Sequence, residues 1–386
     1  MTVAKQKVLI VGGGVIGCMT AWFLHRLGAE PIIVERGRVG QEASWAGAGI
    51  LCPIQPWLYP DSFTRLIEHS LNMFETVQAD IENLSGISTQ WLKSGLLIPS
   101  FGDDEDVSKA MAWSKKFDWS FQHLNAEEAQ QDTPLLSKNV QDALLWPDIA
   151  QVRNPRLLQA LQQIMKQLSI PQLENSEVDT LLTKNNKVSG VALKGGERLD
   201  ADAVLLAAGS WSGDLAKQWG IRLDVQPVKG QIALLKTKPK RLTRIVKHHS
   251  AYFVPRSDGR ILVGASMELA GFERGTTTHE IEKLLQAVEY LMPDLKDAEI
   301  EHQWMGFRPG SPDGMPYLGP VKSVSGLWVS SGHYRNGVAL APLSADLMSR
   351  WIVGEKPCLS DIDLNHFAIE RQTHDLSVGY PCIDRV

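Results

Sequence analysis

The chain has 386 residues, 44% of them hydrophobic and 22% charged, with a formal net charge of -5. Such a length exceeds one ordinary core and points to two or three domains of a globular protein. The charge balance leaves no basic face for nucleic acid, and no run is long and apolar enough to span a bilayer, so neither a nucleic-acid partner nor stable membrane insertion is expected. The four cysteines, Cys18, Cys52, Cys358 and Cys382, form no CxxC pair and no metal-like spacing. That excludes a disulfide framework and a metal site, and it fits a reducing, cytoplasmic setting.

Residues 7–11 (KVLIV) read as a strand buried on both faces of a parallel sheet. Lys5 and Lys7 before the apolar run 8–24 imitate a signal peptide, but cleavage there would delete the glycine loop that interrupts the run. A helix follows over 15–27, stopped by Gly28, and 31–34 (PIIV) is a second buried strand that ends at Glu35. Residues 61–84 show helical spacing. The polar stretch 103–128, with Trp113, Phe117 and Trp119 interleaved, reads as an inserted helical region. Asn154-Pro155 opens a helix to about 168, with Asn as the cap and Pro in the first turn.

Short strands are expected over 176–183, 188–194 and 203–207, then over 225–237, 250–255 and 260–265. Asp258-Gly259 marks a hairpin, and the basic cluster from Lys236 to Arg244, Lys240 included, reads as a solvated loop. Thr277 and Glu280 form a capping box for a helix ending near Pro293. A buried strand over 326–330, a loop over 332–337 and a helix over 338–353 complete the pattern, and the segment after Glu355 reads as a tail or surface strap.

The spacing Gly12-x-Gly14-x-x-Gly17 has the context that a dinucleotide-binding loop requires. Gly12 gives the tight turn, Gly14 lets backbone approach a pyrophosphate, and Gly17 lets helix and strand pack closely. Val15 and Ile16 open the helix whose N-terminus faces the phosphates. Glu35, eighteen residues after Gly17, is placed to bond a ribose hydroxyl. Arg36 beside it suits a 2′-phosphate and hence NADP. The small-residue run Ala43, Ser44, Ala46, Gly47, Ala48, Gly49 argues instead for FAD, because it lets backbone lie flat against an extended cofactor. A second small-residue turn, Ala208-Gly209, follows the 203–207 strand.

Three late blocks carry a resemblance: WMGFRPG at 304–310, DGMPYLG at 313–319 and GHYRNG at 332–337. With the glycine loop, they resemble the D-amino-acid-oxidase-like family of FAD enzymes, and within it the glycine oxidase group of thiamine biosynthesis, over about 7–354. The resemblance implies an α/β fold: a Rossmann-like parallel-sheet domain for FAD and a second, α+β substrate domain with an antiparallel sheet. The implied boundaries are 1–80, 146–222 and 305–369 for FAD, 81–145 and 223–304 for substrate, and 370–386 for a tail.

The resemblance implies that Arg308 forks onto an amino-acid carboxylate, that Tyr252 makes a second contact, and that Arg335 lies near flavin and substrate. Met267 and Ile50 would complete the substrate pocket. Val178, Trp211, His333, Tyr334, Arg335, Asn336 and Gly337 would join the glycine loop around FAD, with His333 shaping a loop and Gly337 opening the last helix. Hydride transfer from a neutral amine needs no general base, and none is assigned. Dioxygen would be the acceptor, giving peroxide and an imino acid that hydrolyses to glyoxylate and ammonia or passes to thiazole synthesis. Without a cysteine near the late motifs, FAD is expected to be non-covalent.

Trp45, Trp57 and Tyr59 either narrow the pocket or pack as ordinary core, the latter being the default for aromatics. Relatives form tetramers, which makes a homo-oligomer an expectation. Two other readings stay open: a D-amino-acid dehydrogenase passing electrons to a quinone, and a flavin-binding module acting on RNA, which the missing basic face disfavours.

Overall fold

A computed structural model describes residues 5–52, 55–102, 105–238, 241–249, 251–357 and 359–371. Lys7–Val11 lies inside a six-stranded sheet, flanked in parallel by Ala203–Leu206 and Glu30–Val34. Gln172–Leu173 and Leu327–Ser331 extend it in parallel, and Tyr317–Pro320 closes one edge antiparallel. The continuous apolar run of the first strand follows from this position. Val8 and Ile10 point into a core with the helices Val15–Arg26, Asp61–Ser85, Asn154–Gln167 and Ala341–Ile352, while Leu9 and Val11 point to the opposite face. That face is covered by a small antiparallel sheet of Val178–Lys184, Lys187–Leu193 and Arg198–Asp200. Burial on both sides removes any alternation of polar residues.

The second large sheet has eight strands in the order Glu299–Gly310, Gln226–Lys236, Arg260–Gly264, Ala251–Pro255, Ile245–His248, Leu96–Ser100, Asp142–Trp146, Gln122–Asn125. All neighbours are antiparallel except Ile245–His248 with Leu96–Ser100. Leu235, Phe253, Ile261 and Val263 pack under the helix Thr278–Leu291. Ile232, Tyr252, Val254 and Leu262 share the other face. Glu299–Gly310 is an edge strand, so Pro309 within it interrupts no ladder on its outer side. It passes the expected boundary at 305 without a break.

Three local expectations need correction. The stretch 103–128 is not wholly helical: the helix Glu105–Lys116 is followed by the edge strand Gln122–Asn125 and the helix Ala126–Asp132. That strand (QHLN) pairs on one side only and buries none of its residues, so it carries no period-two signal. Asn154 does not cap its helix with its side chain, which reaches away to the Ser44 carbonyl at 2.8 Å. The last helix begins at Ala341, not at Gly337. Pro342 has no N–H and its ring would clash with an earlier carbonyl, so it is confined to the first turn, and 337–340 form turns instead.

Beyond Glu355 the described chain is a packed strap. Phe367 is fully buried, and Arg371 grips Asp313 through two bonds at 2.8 and 2.9 Å. Residues 372–386, with Cys382, and Cys358 lie outside the described residues. Cys18 and Cys52 are buried, and no described helix is long and apolar enough to cross a membrane.

Candidate active site

A cavity of about 370 Å³ runs from the glycine loop to the inner face of the eight-stranded sheet. At one end the first strand delivers the chain into Gly12, whose φ of 114° is open to glycine. A Cβ at Gly12 would lie 2.7 Å from the Ala207 carbonyl carbon, so the loop and the Ala207-Ala208 turn touch backbone to backbone. Glu35 accepts from Gly13 N at 2.8 Å and from Gly37 N at 2.9 Å, which ties the end of the second strand to the loop. Ser44 Oγ accepts from Val15 N at 3.0 Å. The N–H groups of Gly14, Ile16 and Gly17 have no partner among the described residues. Free amides at a helix start are an anion site.

Most of the residues expected from the sequence line this one cavity: Gly12, Gly14, Val15, Ile16, Glu35, Arg36, Ser44, Gly47, Ala48, Gly49, Ile50, Val178, Ala208, Gly209, Trp211, Tyr252, Arg308, His333, Tyr334, Arg335 and Gly337. Gly17, Ala46, Met267 and Asn336 do not line it. Gly17 packs on the Gly12 carbonyl, and Ala46 accepts the Trp304 indole N–H at 3.0 Å. Met267 Sδ accepts from the Tyr334 hydroxyl at 3.4 Å. The buried Asn336 amide has no hydrogen-bond partner within the described protein. Trp45, Trp57 and Tyr59 do not line the cavity; Trp45 meets Trp304 edge to face and Tyr59 stacks on Phe63.

Arg36 is not poised for a 2′-phosphate. Its guanidinium lies 3.4 Å from the centre of the Trp211 ring and pairs with Glu42 at 3.2 Å. Phe272 stacks on the indole as well, at 4.7 Å. His333 is buried, and desolvation pushes its imidazole down to about 3. It is neutral near pH 7 and bonds Ser344 Oγ at 3.0 Å, so it shapes the loop. Tyr334 N bonds the Pro309 carbonyl at 2.9 Å, which joins two motifs that are distant in sequence.

At the sheet end, Arg308 Nη1 donates to the Ser266 carbonyl at 3.0 Å and lies 3.5 Å from the Lys229 carbonyl. No carboxylate among the described residues pairs with Arg308, and the Tyr252 hydroxyl has no hydrogen-bond partner among them. A half-buried cation and a phenol thus share one cavity with Ile50.

Two positioning residues escaped the sequence reading. Arg256 donates to the Ala48 carbonyl at 2.7 Å and to Gln151 Oε1 at 2.9 Å, which ties the eight-stranded sheet to the small-residue loop. Asn154 holds the same loop through Ser44. Arg256 follows the expected strand that carries Tyr252 and Asn154 opens the expected helix, but no local pattern tells which loop a side chain will reach.

The class of protein follows from this arrangement together with a match over nearly the whole chain. A family model described as FAD dependent oxidoreductase matches residues 7–351, so the chain belongs to that family and FAD is its cofactor. Among its relatives, the chain is similar to the glycine oxidase of Pseudomonas aeruginosa, 39% identical over 356 residues that cover 92% of this chain and 97% of that protein. It is similar to the bifunctional protein ThiO/ThiG of Trichormus variabilis, 31% identical over 95% of this chain but only 55% of that protein. A solved glycine oxidase from Bacillus cereus superposes with a TM-score of 0.88 at 29% identity, covering 96% of this chain and all of that one. The resemblance inferred from the motifs and the expected fold class are therefore borne out.

The cavity fits FAD on its own terms. Asn154 Oδ1 and Ser330 Oγ are buried with no partner among the described residues, and both residues line the cavity, as does the start of the first helix. Buried polar atoms of this kind call for a polar ligand.

Proposed function

We propose that the protein oxidises glycine and other small amino acids or amines, sarcosine and small D-amino acids among them, with dioxygen as acceptor. The carrying observation is Arg308: a cation in the cavity, anchored to backbone carbonyls, with no carboxylate partner among the described residues. Its planar fork suits a substrate carboxylate, and a bidentate grip fixes the direction of the Cα–H bond. Tyr252 would supply a second hydrogen bond and Arg335 further positive charge, while Ile50 bounds the space for a substrate side chain. Bound FAD supplies the hydride acceptor. The protein's part is to orient the substrate and exclude water, and no acid or base residue is assigned.

The remaining cavity residues would hold FAD non-covalently. Neither Cys18 nor Cys52 lines the cavity. The division into an FAD part (1–80, 146–222, 305–369) and a substrate part (81–145, 223–304) is part of the same proposal. All six strands of the sheet that holds Lys7–Val11 fall in the first set. The names of the relatives support glycine as substrate, and the ThiO/ThiG relative supports a role in supplying the imino acid to thiamine synthesis.

The test is a substrate screen of the purified yellow protein with glycine, sarcosine and D-alanine, following peroxide in air. Peroxide formed in proportion to substrate is expected. Reduction of a dye or quinone without peroxide would favour the dehydrogenase instead.

A further inference from the structure

We propose that Gly230 is a positioning residue whose missing side chain forms the seat of the Arg308 guanidinium. The inference rests on the reading of Arg308 as the carboxylate site. Gly230 lies inside the strand Gln226–Lys236, between the buried Val228 and Ile232. Glycine weakens a strand interior, so its presence there calls for a reason. Backbone conformation is not that reason, since Gly230 has no positive φ.

Space is the reason. A Cβ built on Gly230 would have three nearest neighbours, and all belong to Arg308: Nη1, Nη2 and Cζ, the last at 2.5 Å. The register explains the geometry. Gly230 pairs with Gly306, two residues before Arg308 on the same face of the sheet, so the long side chain folds back over the bare position. Lying there lets Nη1 reach the Ser266 and Lys229 carbonyls. Gly306 has a separate explanation, because a Cβ there would lie 2.6 Å from Ala46 Cβ.

A methyl group at Gly230 would have to push the guanidinium outward by roughly 1 Å to reach normal contact distance. The guanidinium ends a flexible side chain, so it yields while the backbone stays. The effect therefore falls on substrate geometry and not on folding. Gly264 differs: its Cβ would lie 2.7 Å from the buried Tyr252 ring, which is rigid and enclosed.

The experiment is a double-mutant cycle with Gly230→Ala, Arg308→Ala and the double variant, read as flavin reduction by glycine without oxygen, with FAD content and melting temperature alongside. Gly230→Ala is expected to lower kcat/KM for glycine by roughly 10- to 100-fold, chiefly through KM, with FAD content kept. In the Arg308→Ala background the same substitution should change kcat/KM by less than about twofold, because the group it displaces is gone. Equal losses in both backgrounds would overturn the proposal, as would wild-type kinetics in Gly230→Ala beside an impaired Arg308→Ala. If Gly230→Ala fails to fold, the double variant should recover, since truncating Arg308 clears the space; a double variant that also fails overturns the proposal. Wild-type glycine kinetics in Arg308→Ala would instead refute the carboxylate reading, and the proposal with it.

Discussion

Arg256 offers a sharp test of how the eight-stranded sheet is tied to the cofactor loop. Its guanidinium is enclosed, and desolvation with the neighbouring Arg153 lowers its pKa to about 10, so it stays charged near pH 7. It donates to the Ala48 carbonyl at 2.7 Å, to Gln151 Oε1 at 2.9 Å and, at 3.4 Å, to the Val152 carbonyl. The first two are charge-assisted bonds worth about 1.5–3 kcal/mol each, and the third is too long to add much. Gln151 also donates to Ser94 Oγ and can re-pair, so Arg256→Met should destabilise the protein by about 2–4 kcal/mol. The Ala48 carbonyl is then left unpaired and the segment 46–50 loses one of its ties, the one to the strand Ala251–Pro255, so FAD affinity should fall roughly 10- to 100-fold. Urea unfolding with and without FAD, together with flavin fluorescence titration of the apoprotein, measures both quantities. Stability lost with FAD affinity unchanged would show that the tie does not order the cofactor loop, and wild-type values for both would refute the reasoning outright.

Two further outcomes follow from the same geometry. Gly17→Ala would place a methyl carbon against the Gly12 carbonyl and 3.2 Å from the Ile10 side chain, so the variant should lose FAD affinity by at least roughly tenfold; a variant purified as yellow as the wild type would contradict this. Burial holds His333 at about 3, so below its ordinary value near 6.5 the unfolded chain takes up a proton that the folded chain refuses. Stability is therefore present above that value and declines as pH falls toward 3, by up to about 1.4 kcal/mol per pH unit. His248, also lowered to about 3 by burial and the neighbouring His249 and Lys247, adds to the slope. Thermal melts between about pH 7 and pH 5 should show a shallower loss in His333→Asn than in the wild type, and identical slopes would refute the assignment.

Much of the cofactor side was legible in the sequence because its determinants are local. A buried parallel strand, a glycine loop and a helix follow one another over 7–26, and Glu35 ends the next strand. The substrate side was less legible. Arg308 was recognised through its motif, yet the twelve-residue strand that carries it was not foreseen, because Gly306, Pro309 and Gly310 weaken any strand pattern. Its meaning depends on a partner strand about 80 residues earlier, where Gly230 leaves room for it. The strands Leu96–Ser100 and Asp142–Trp146 were likewise missed: they pair with each other across an insertion that contains helices. The stack of Arg36, Trp211 and Phe272 joins three segments distant in sequence and has no local signature.

The most direct measurement is to mix the purified holoprotein with glycine in the absence of oxygen and follow the yellow absorbance of the flavin. Rapid bleaching that saturates with glycine, and that requires a much higher glycine concentration in Arg308→Ala, is the predicted result. A flavin that stays oxidised with glycine, sarcosine and D-alanine alike would contradict the assignment of this cavity to small amino acids.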